Sequence, residues 1–280
     1  MIEYQNVSKF YGDLAAVDGI SLDIPDGEFF GLLGPNGAGK TTIIRMTTAL
    51  TAVSSGAILI DGEPINRDLS KTKQRFGVVP QYTNLEAEIS ARQNLDYHGR
   101  LYGMDTSLRK SKIDELLEFA ELSDRADDKA SSYSSGMRRR LMIIKALMHS
   151  PDVLFLDEPT VGLDATARRN IWDLLRNMNS QGLTIFLTTH YLEEAQALCS
   201  RVGLIDKGKM VQLDSPSALI ASHGNYILEY FKDGEMVYQF FNAREEAVKA
   251  SEWLNASFQV REANLEDVFV ALTNRRIAES

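Results

Sequence analysis

A glycine-rich run near the start of the chain reads Gly34-Pro35-Asn36-Gly37-Ala38-Gly39-Lys40-Thr41 and directly follows the apolar run 29–33. Its spacing matches G-x-x-x-x-G-K-[ST], in which backbone N–H groups wrap a polyphosphate, the lysine contacts phosphate and the hydroxyl contacts Mg²⁺. Glycines let the main chain approach the anion, and the positive end of the following helix points at it. The alternative is an ordinary glycine-rich loop between a strand and a helix, but such a loop does not require the full eight-residue pattern. The run therefore predicts a nucleotide-binding site.

Composition is typical of a globular protein. The 280 residues are 44% hydrophobic and 25% charged, with a formal net charge of −9 and a pI near 5.1. This acidic balance argues against broad nucleic-acid binding. The single cysteine, Cys199, cannot form an internal disulfide, and no cleavable signal is expected at the start, so we predict a reducing, cytosolic location. No run approaches the roughly 18 apolar residues that span a bilayer, so we expect membrane association to come through a partner.

Polar side chains directly follow three apolar runs that are typical of buried strands. They are Gln81, the pair Asp157-Glu158, and His190. In open α/β sheets, ligands bind beyond the carboxyl ends of the strands. A buried acidic pair is costly there unless it handles a cation and a reacting water, so we assign Asp157 to Mg²⁺ and Glu158 to a general base. Gln81 could reach a metal or water through its amide oxygen, and His190 is suited to contact a γ-phosphate. The alternatives are a surface glutamine at Gln81 and a structural histidine at His190.

The stretch from Ile89 to Met148 is expected to be a helical insertion, because its apolar residues recur at three- and four-residue steps. Within it, the serines and the glycine of the run 131–136 open a helix, and Arg138-Arg139-Arg140 lie just inside that helix. Free N–H groups at a helix N-terminus attract anions, so this is a second potential anion site. The alternative is a capped helix whose arginines form a solvated face.

Antiparallel strands are expected at the N-terminus, in the runs 2–7 and 20–24. Between them, Phe10 and Tyr11 form an aromatic pair that we expect in a loop. Tyr11 could stack on a flat base there, although a loop aromatic more often serves packing.

The last quarter predicts a small α+β appendage with no catalytic constellation, beyond a boundary near residues 222–225. Two strand-like runs, 226–231 and 236–241, flank Lys232-Asp233-Gly234-Glu235, which is a hairpin signal. A further helix is expected to be capped by Asn264-Leu265-Glu266-Asp267.

Together these motifs resemble the nucleotide-binding subunit of an ATP-binding cassette transporter, over roughly the first three quarters of the chain. The resemblance implies an α/β fold: a P-loop NTPase core with a mixed sheet, an N-terminal antiparallel β subdomain, a helical insertion at about residues 85–150, and a small C-terminal α+β appendage. It divides the chain into an ATPase domain, 1–222, and an accessory domain, 223–280. The matching elements are Tyr11, the Walker A run Gly34 to Thr42, Gln81, the signature Tyr133 to Met137, the Walker B run Val153 to Glu158, Gly162-Leu163-Asp164, and the switch residue His190.

The signature departs from the usual family pattern of leucine, serine, two glycines and glutamine. Tyr133, Ser135 and Met137 replace three of the five residues, while Ser134 and Gly136 are kept. Because Ser135 is small and the helix-end N–H groups remain, we expect function to survive with less backbone freedom at this position.

The resemblance implies ATP and Mg²⁺ as cofactors and gives the site residues their roles. The catalytic set is Glu158, which activates water, with His190, which contacts the γ-phosphate, Lys40 and Gln81. The metal set is Thr41, Gln81 and Asp157. The implied nucleotide-binding residues are Tyr11, Val17, Gly34, Pro35, Asn36, Gly37, Ala38, Gly39, Lys40, Thr41 and Thr42 and, for the ATP of a second subunit, Ser134, Ser135 and Gly136.

The resemblance also implies partners. Two subunits of this family pack head to tail, and each ATP lies between the phosphate loop of one and the signature serine of the other. We therefore expect a second ATPase subunit, as a homodimer, and a separately encoded transmembrane permease that holds the pair at the inner face of the cell membrane. No nucleic acid is expected. The tail Leu265-Glu266-Asp267-Val268-Phe269 resembles that of exporter ATPases of the multidrug and daunorubicin-resistance type, which favours export.

Two other hypotheses belong to different functional classes. A soluble cassette ATPase could act as a mechanical clamp on nucleic acid or ribosomes, but such proteins usually carry two cassettes or long insertions. A P-loop kinase would leave the run Ser134 to Met137, Asp164 and His190 unexplained.

Overall fold

The structure is a computed structural model that describes residues 1–65, 73–232, 235–254 and 257–273. Its helices and strands in chain order are β1 (Ile2–Tyr11), β2 (Leu14–Ile24), β3 (Phe29–Leu33), α1 (Lys40–Thr47), β4 (Ser55–Ile60), β5 (Glu63–Pro64), β6 (Phe76–Val79), α2 (Ala91–Leu101), α3 (Thr106–Phe119), α4 (Ser135–Ala146), β7 (Val153–Asp157), α5 (Ala165–Ser180), β8 (Thr184–Thr189), α6 (Leu192–Leu198), β9 (Arg201–Asp206), β10 (Lys209–Asp214), α7 (Pro216–His223), β11 (Tyr226–Lys232), β12 (Glu235–Phe241), α8 (Arg244–Ser251), β13 (Phe258–Glu262) and α9 (Leu265–Thr273).

A six-stranded mixed sheet carries the phosphate loop at its centre. The strand order is β10-β9-β3-β8-β7-β6, and every neighbouring pair is parallel except β10 with β9. All residues of β3, β7 and β8 are buried, as expected for parallel strands covered on both faces. Parallel pairing brings the carboxyl ends of β6, β7 and β8 to one edge. Gln81, Glu158 and His190 follow these ends, which explains how residues far apart in sequence meet.

A four-stranded antiparallel sheet, β2-β1-β4-β5, forms the N-terminal layer and confirms that part of the predicted fold. Its strands are longer than the sequence pattern indicated. Tyr11 pairs with Leu14 across a tight hairpin, so Phe10 and Tyr11 end a strand. The prediction that this aromatic pair lies in a loop is therefore wrong, because cross-strand pairing extends β1 beyond its clearly alternating part.

Three α-helices, α2, α3 and α4, occupy the insertion between β6 and β7 in the described residues. Helix α4 packs directly against β6. Gly77 permits this approach, because a Cβ atom at Gly77 would lie 2.6 Å from the carbonyl oxygen of Ala146. The helix that carries the signature is thus held against the edge strand that leads to Gln81.

The C-terminal unit has a three-stranded antiparallel sheet, β12-β11-β13, with α8 packed on it. The α+β class expected for this part is confirmed, whereas the expected turn at Asp233-Gly234 lies outside the described residues. The predicted cap of α9 is also present. The Asn264 side-chain oxygen accepts hydrogen bonds from the N–H groups of Glu266, at 2.8 Å, and Asp267, at 3.2 Å.

Helix α9 connects this unit to the main core. Leu265, Val268 and Phe269 are buried in the same hydrophobic cluster as Leu198 of α6 and Leu219 of α7. The domain division proposed above stays a prediction, and α9 packs across it. Within the described ranges, no helix combines the length and the apolar character that crossing a bilayer requires.

Candidate functional site

The phosphate loop between β3 and α1 requires glycine at two points of close approach. A Cβ atom at Gly34 would lie 2.2 Å from the carbonyl oxygen of Ile205. Gly39 has φ of 106°, and a Cβ there would lie 2.4 Å from the carbonyl oxygen of Ala16. Only glycine fits such positions without displacing backbone. The loop therefore has its shape from packing against β9 and β2 as well as from its own sequence.

The Lys40 ammonium group lies inside this loop. Its Nζ donates hydrogen bonds to the carbonyl oxygens of Gly34, at 2.7 Å, and Pro35, at 3.0 Å, and lies 3.2 Å from Glu158 Oε1. Burial lowers the pKa of Lys40, while the nearby carboxylates of Glu158 and Asp157 act in the opposite direction. A buried cation with a single close carboxylate partner is well placed to bind the added negative charge of a phosphate.

Asp157 and Thr41 lie side by side, as expected for a shared metal. The Thr41 hydroxyl donates to Asp157 Oδ2 at 2.9 Å, and the Thr188 hydroxyl donates to Asp157 Oδ1 at 2.6 Å. Asp157 is buried. A hydroxyl and a carboxylate are hard oxygen donors, and Mg²⁺ is commonly held by one or two such protein groups together with phosphate oxygens. The residues present therefore fit Mg²⁺.

Glu158 contacts three of the other predicted site residues. Its Oε2 lies 3.0 Å from His190 Nδ1 and 3.4 Å from Gln81 Nε2, which donates to it, and its Oε1 contacts Lys40. Because an ionised carboxylate only accepts hydrogen bonds, a neutral His190 ring makes this contact with its proton on Nδ1. Glu158 has φ of 48°, an uncommon conformation for this residue type, and its N–H donates to the carbonyl oxygen of Thr188 at 3.0 Å. Such backbone outliers cluster at functional sites.

A cavity of about 530 Å³ opens beside these groups. Among the predicted residues it is lined by Tyr11, Asn36, Gly37, Gly39, Lys40, Thr41, Thr42, Gln81 and Glu158. The Tyr11 side chain is 48% exposed, and Lys9 Nζ lies 5.0 Å from its ring centroid. Both a flat, open ring and a charged loop thus border one cavity, as a nucleotide with a base and phosphates would require.

Some predicted nucleotide-binding residues lie behind the cavity wall. Gly34, Pro35, Ala38 and Val17 are buried and do not line it. The Val17 side chain packs beneath Gly39.

Sequence reasoning missed several residues of the site. Leu14, Ala15, Ala16 and Lys207 line the cavity, and Thr188 bonds Asp157. Only Thr188 carried a signal, since it lies two residues before His190 at the end of the predicted strand.

The signature residues lie on a second surface. Ser134 is the N-cap of α4, and its exposed side chain accepts a hydrogen bond from the N–H of Met137 at 3.2 Å. Ser135 is exposed as well. Neither serine nor Gly136 lines the cavity. The signature residues and the phosphate loop of one chain thus do not border a common cavity.

The substituted signature positions have structural roles. The Tyr133 ring is buried and its hydroxyl donates to the carbonyl oxygen of Arg125 at 2.6 Å. Met137 packs against the main core. The alternative of a solvated arginine face is wrong, because the three arginines Arg138 to Arg140 are buried or half-buried and donate to backbone carbonyls.

Comparisons with known proteins identify the family. The family model described as ABC transporter matches residues 17–161. The chain is 41% identical to Nod factor export ATP-binding protein I of Paraburkholderia xenovorans (strain LB400), covering 99% of this chain and 98% of that protein. It is 40% identical to the protein of the same name from Rhizobium sp. (strain N33), with the same coverage.

Solved structures lead to the same family. cbiO1 from Clostridium perfringens, part of the ABC transporter complex cbiONQ, is 28% identical with a TM-score of 0.74, covering 79% of this chain and 90% of that one. The dimeric ATP-binding cassette MJ0796 bound to ADP and Pi is also 28% identical, with a TM-score of 0.69 and coverage of 77% and 98%. These likenesses give no support to a clamp on nucleic acid. The chain belongs to the ABC transporter family, and it is an ATP-hydrolysing subunit of a transporter.

Proposed function

We propose that two copies of this chain close head to tail around two ATP molecules and thereby drive export by a separately encoded permease at the inner face of the cell membrane. The observation that carries this proposal is the separation of the two phosphate-type surfaces. The cavity beside Lys40 contains groups for phosphates, metal and water, whereas Ser134 opens α4 on another surface. A second copy would bring its Ser134 to the ATP that the first copy holds.

Within the closed site, each residue acts through its own contacts. The loop N–H groups and Lys40 bind the β- and γ-phosphates, and Lys40 Nζ exchanges its carbonyl partners for phosphate oxygens. Tyr11 stacks on the adenine. Thr41, Gln81 and Asp157 would hold Mg²⁺, which would supply neutralisation of phosphate charge.

Glu158 acts as the general base that accepts a proton from the attacking water. His190 donates its Nδ1–H to Glu158 Oε2, which orients the carboxylate and leaves Oε1 beside Lys40. Positioning and charge neutralisation of this kind supply most of the catalysis in phosphoryl transfer.

The direction of transport and the permease contact have separate support. Relatives named as export proteins match this chain over nearly its whole length, including the C-terminal unit. Large apolar side chains are exposed next to the site and on the insertion: Tyr82 is 81% exposed, Leu101 65% and Tyr97 56%. Tyr82 directly follows Gln81, so a permease segment that binds these residues would act on the site through one peptide bond.

Replacing Thr188 by Val tests the support that its hydroxyl gives to the Asp157 carboxylate and the Glu158 backbone. The hydroxyl bonds Asp157 Oδ1 and also accepts from the Glu158 N–H at 3.3 Å, so its loss should lower ATP turnover about 10- to 100-fold. The free energy of unfolding should fall by only about 1–2 kcal/mol. Thr184→Val is the matched control, because Thr184 lies at the other end of β8 and bonds the Gly27 N–H. Equal losses of turnover in both variants would contradict the assigned role.

Glu158→Gln should preserve ATP binding and stall hydrolysis. The amide keeps the shape of the side chain but cannot accept the proton of water, so turnover should fall about 10²- to 10⁴-fold while an ATP-bound dimer accumulates on gel filtration. Glu193→Gln, at an exposed acid near the switch histidine, should behave as wild type. Turnover at the wild-type rate in Glu158→Gln would remove Glu158 from the base role.

Ser134→Arg tests the contribution of a second copy. A bulky cation at the N-terminus of α4 should block the partner's ATP, lowering hydrolysis at least about 100-fold, while a single subunit still binds ATP. Ser111→Arg adds the same charge to an exposed position of α3 in the same insertion and should be silent. A closed ATP dimer of the Ser134→Arg variant would contradict the head-to-tail arrangement.

The permease contact is tested on membranes. The double variant Tyr82→Ser and Leu101→Ser should lower the fraction of tagged chain that floats with membranes of cells that express the permease, whereas Leu50→Ser, at a side chain 62% exposed, should not. In inverted vesicles from the same cells, ATP should drive exported solutes inward. Unchanged flotation of the double variant would exclude this surface as the docking site.

A further inference from the structure

Arg139 connects the signature helix to the segment that carries Gln81. Its guanidinium donates to the carbonyl oxygen of Pro80 at 3.0 Å and to that of Gln81 at 3.1 Å. Arg139 is only 8% exposed. A guanidinium presents its donors in a fixed fork, so binding two consecutive carbonyls fixes both the position and the direction of this stretch of backbone.

The chemistry around Arg139 argues against a purely stabilising role. Among the described residues, no ion pair includes Arg139; it has two neutral carbonyls as partners. Burial lowers its pKa, and the more distant carboxylates of Glu194 and Asp157 act in the opposite direction. Burying a cation without a contacting carboxylate is costly, and an apolar residue of similar volume would often serve stability as well.

The neighbouring arginines bond elsewhere. Arg138 donates to the carbonyl oxygen of Tyr133 in the turn before its own helix. Arg140 donates to the carbonyl oxygen of Ala120, at 2.8 Å, within the insertion. Of these three consecutive arginines, Arg139 is the one that bonds the backbone just after β6, where Gln81 lies.

A second cation of α4 holds the same segment farther along. Lys145 Nζ donates to the carbonyl oxygen of Asn84. The segment from Pro80 to Asn84 is therefore attached at both ends to one helix, whose first residues include the signature. Gln81 in turn faces Glu158, with Nε2 at 3.4 Å from Oε2.

We propose that Arg139 is a positioning residue that makes the start of α4 and Gln81 move as one body. Through its two hydrogen bonds, the position of Gln81 relative to Glu158 and the metal position follows that of α4. This inference rests on the role proposed for Gln81.

A double-mutant cycle tests it on the purified chain. Arg139→Met keeps an unbranched side chain but loses both hydrogen bonds, so kcat should fall about tenfold because small misplacements of reacting groups cost rate. The KM and the binding of a fluorescent ATP analogue by the single subunit should not change. Arg139→Lys, which keeps the charge but not the fork, should restore part of the rate. In a Gln81→Ala background, Arg139→Met should cause no further loss, since both changes act through one group.

The matched control is Arg140→Met, one residue along the helix. Its effect should be independent of Gln81, so the fold losses of kcat from Arg140→Met and Gln81→Ala should multiply in the double variant. If the effects of Arg139→Met and Gln81→Ala also multiply, the inference is wrong while the role of Gln81 stands. If Gln81→Ala alone leaves kcat unchanged, the proposed role of Gln81 fails and the inference fails with it. Should Arg139→Met unfold, as thermal melting would reveal, the same cycle is run with Arg139→Lys, and the same outcomes decide.

Discussion

A buried ion pair between Lys40 and Glu158 joins the ends of two strands that are not neighbours. Lys40 begins the helix after β3, and Glu158 follows β7, while β8 lies between them in the sheet. His190, which directly follows β8, therefore contacts the same Glu158 carboxylate. Because both charges are withdrawn from water, removing either one would leave the other uncompensated. The phosphate loop, Glu158 and His190 are thus mutually dependent, and their charges are arranged without any ligand.

This arrangement depends on a second layer of contacts that has no charge. The Thr188 hydroxyl accepts from the Glu158 N–H and donates to Asp157 Oδ1, so one hydroxyl orients the Asp157 carboxylate and holds the backbone of Glu158. Close backbone approaches at Gly34 and Gly39 fix the loop against β9 and β2. Hydrogen bonds inside a site with little water are stronger than in solvent. The geometry of the acidic pair therefore follows from neighbours that take no part in the chemistry.

The sequence predicted a residue's position best where that residue directly follows a buried strand. The apolar runs before Asp157 and His190 predicted both the strands and the shared edge, because parallel strands must end on the same side. The sequence did not predict positions that are set by packing or strand pairing between segments distant in the chain. Nothing local to Lys207 or Ala16 indicates that they border the cavity, and the loop expected at Tyr11 became strand through pairing with β2.

The burial of the arginines after the signature was likewise not predictable from the local sequence. Three consecutive basic residues are typical of a solvated helix face, yet these three find separate backbone carbonyls. The close approach that Gly77 allows between α4 and β6 places Arg139 within reach of its partners. Burial of a charged side chain is decided by such tertiary packing, which no single-segment pattern contains.

The packing of helix α9 restricts how the sequence can vary. It packs on α6, which begins two residues after His190, and on α7. Leu265, Val268 and Phe269 complete a hydrophobic cluster that also contains Ala195 and Leu198. The C-terminal unit is therefore not a detachable module. The inner side of α9 must remain complementary to α6, the helix that follows His190, so substitutions in α9 and α6 are expected to be coupled.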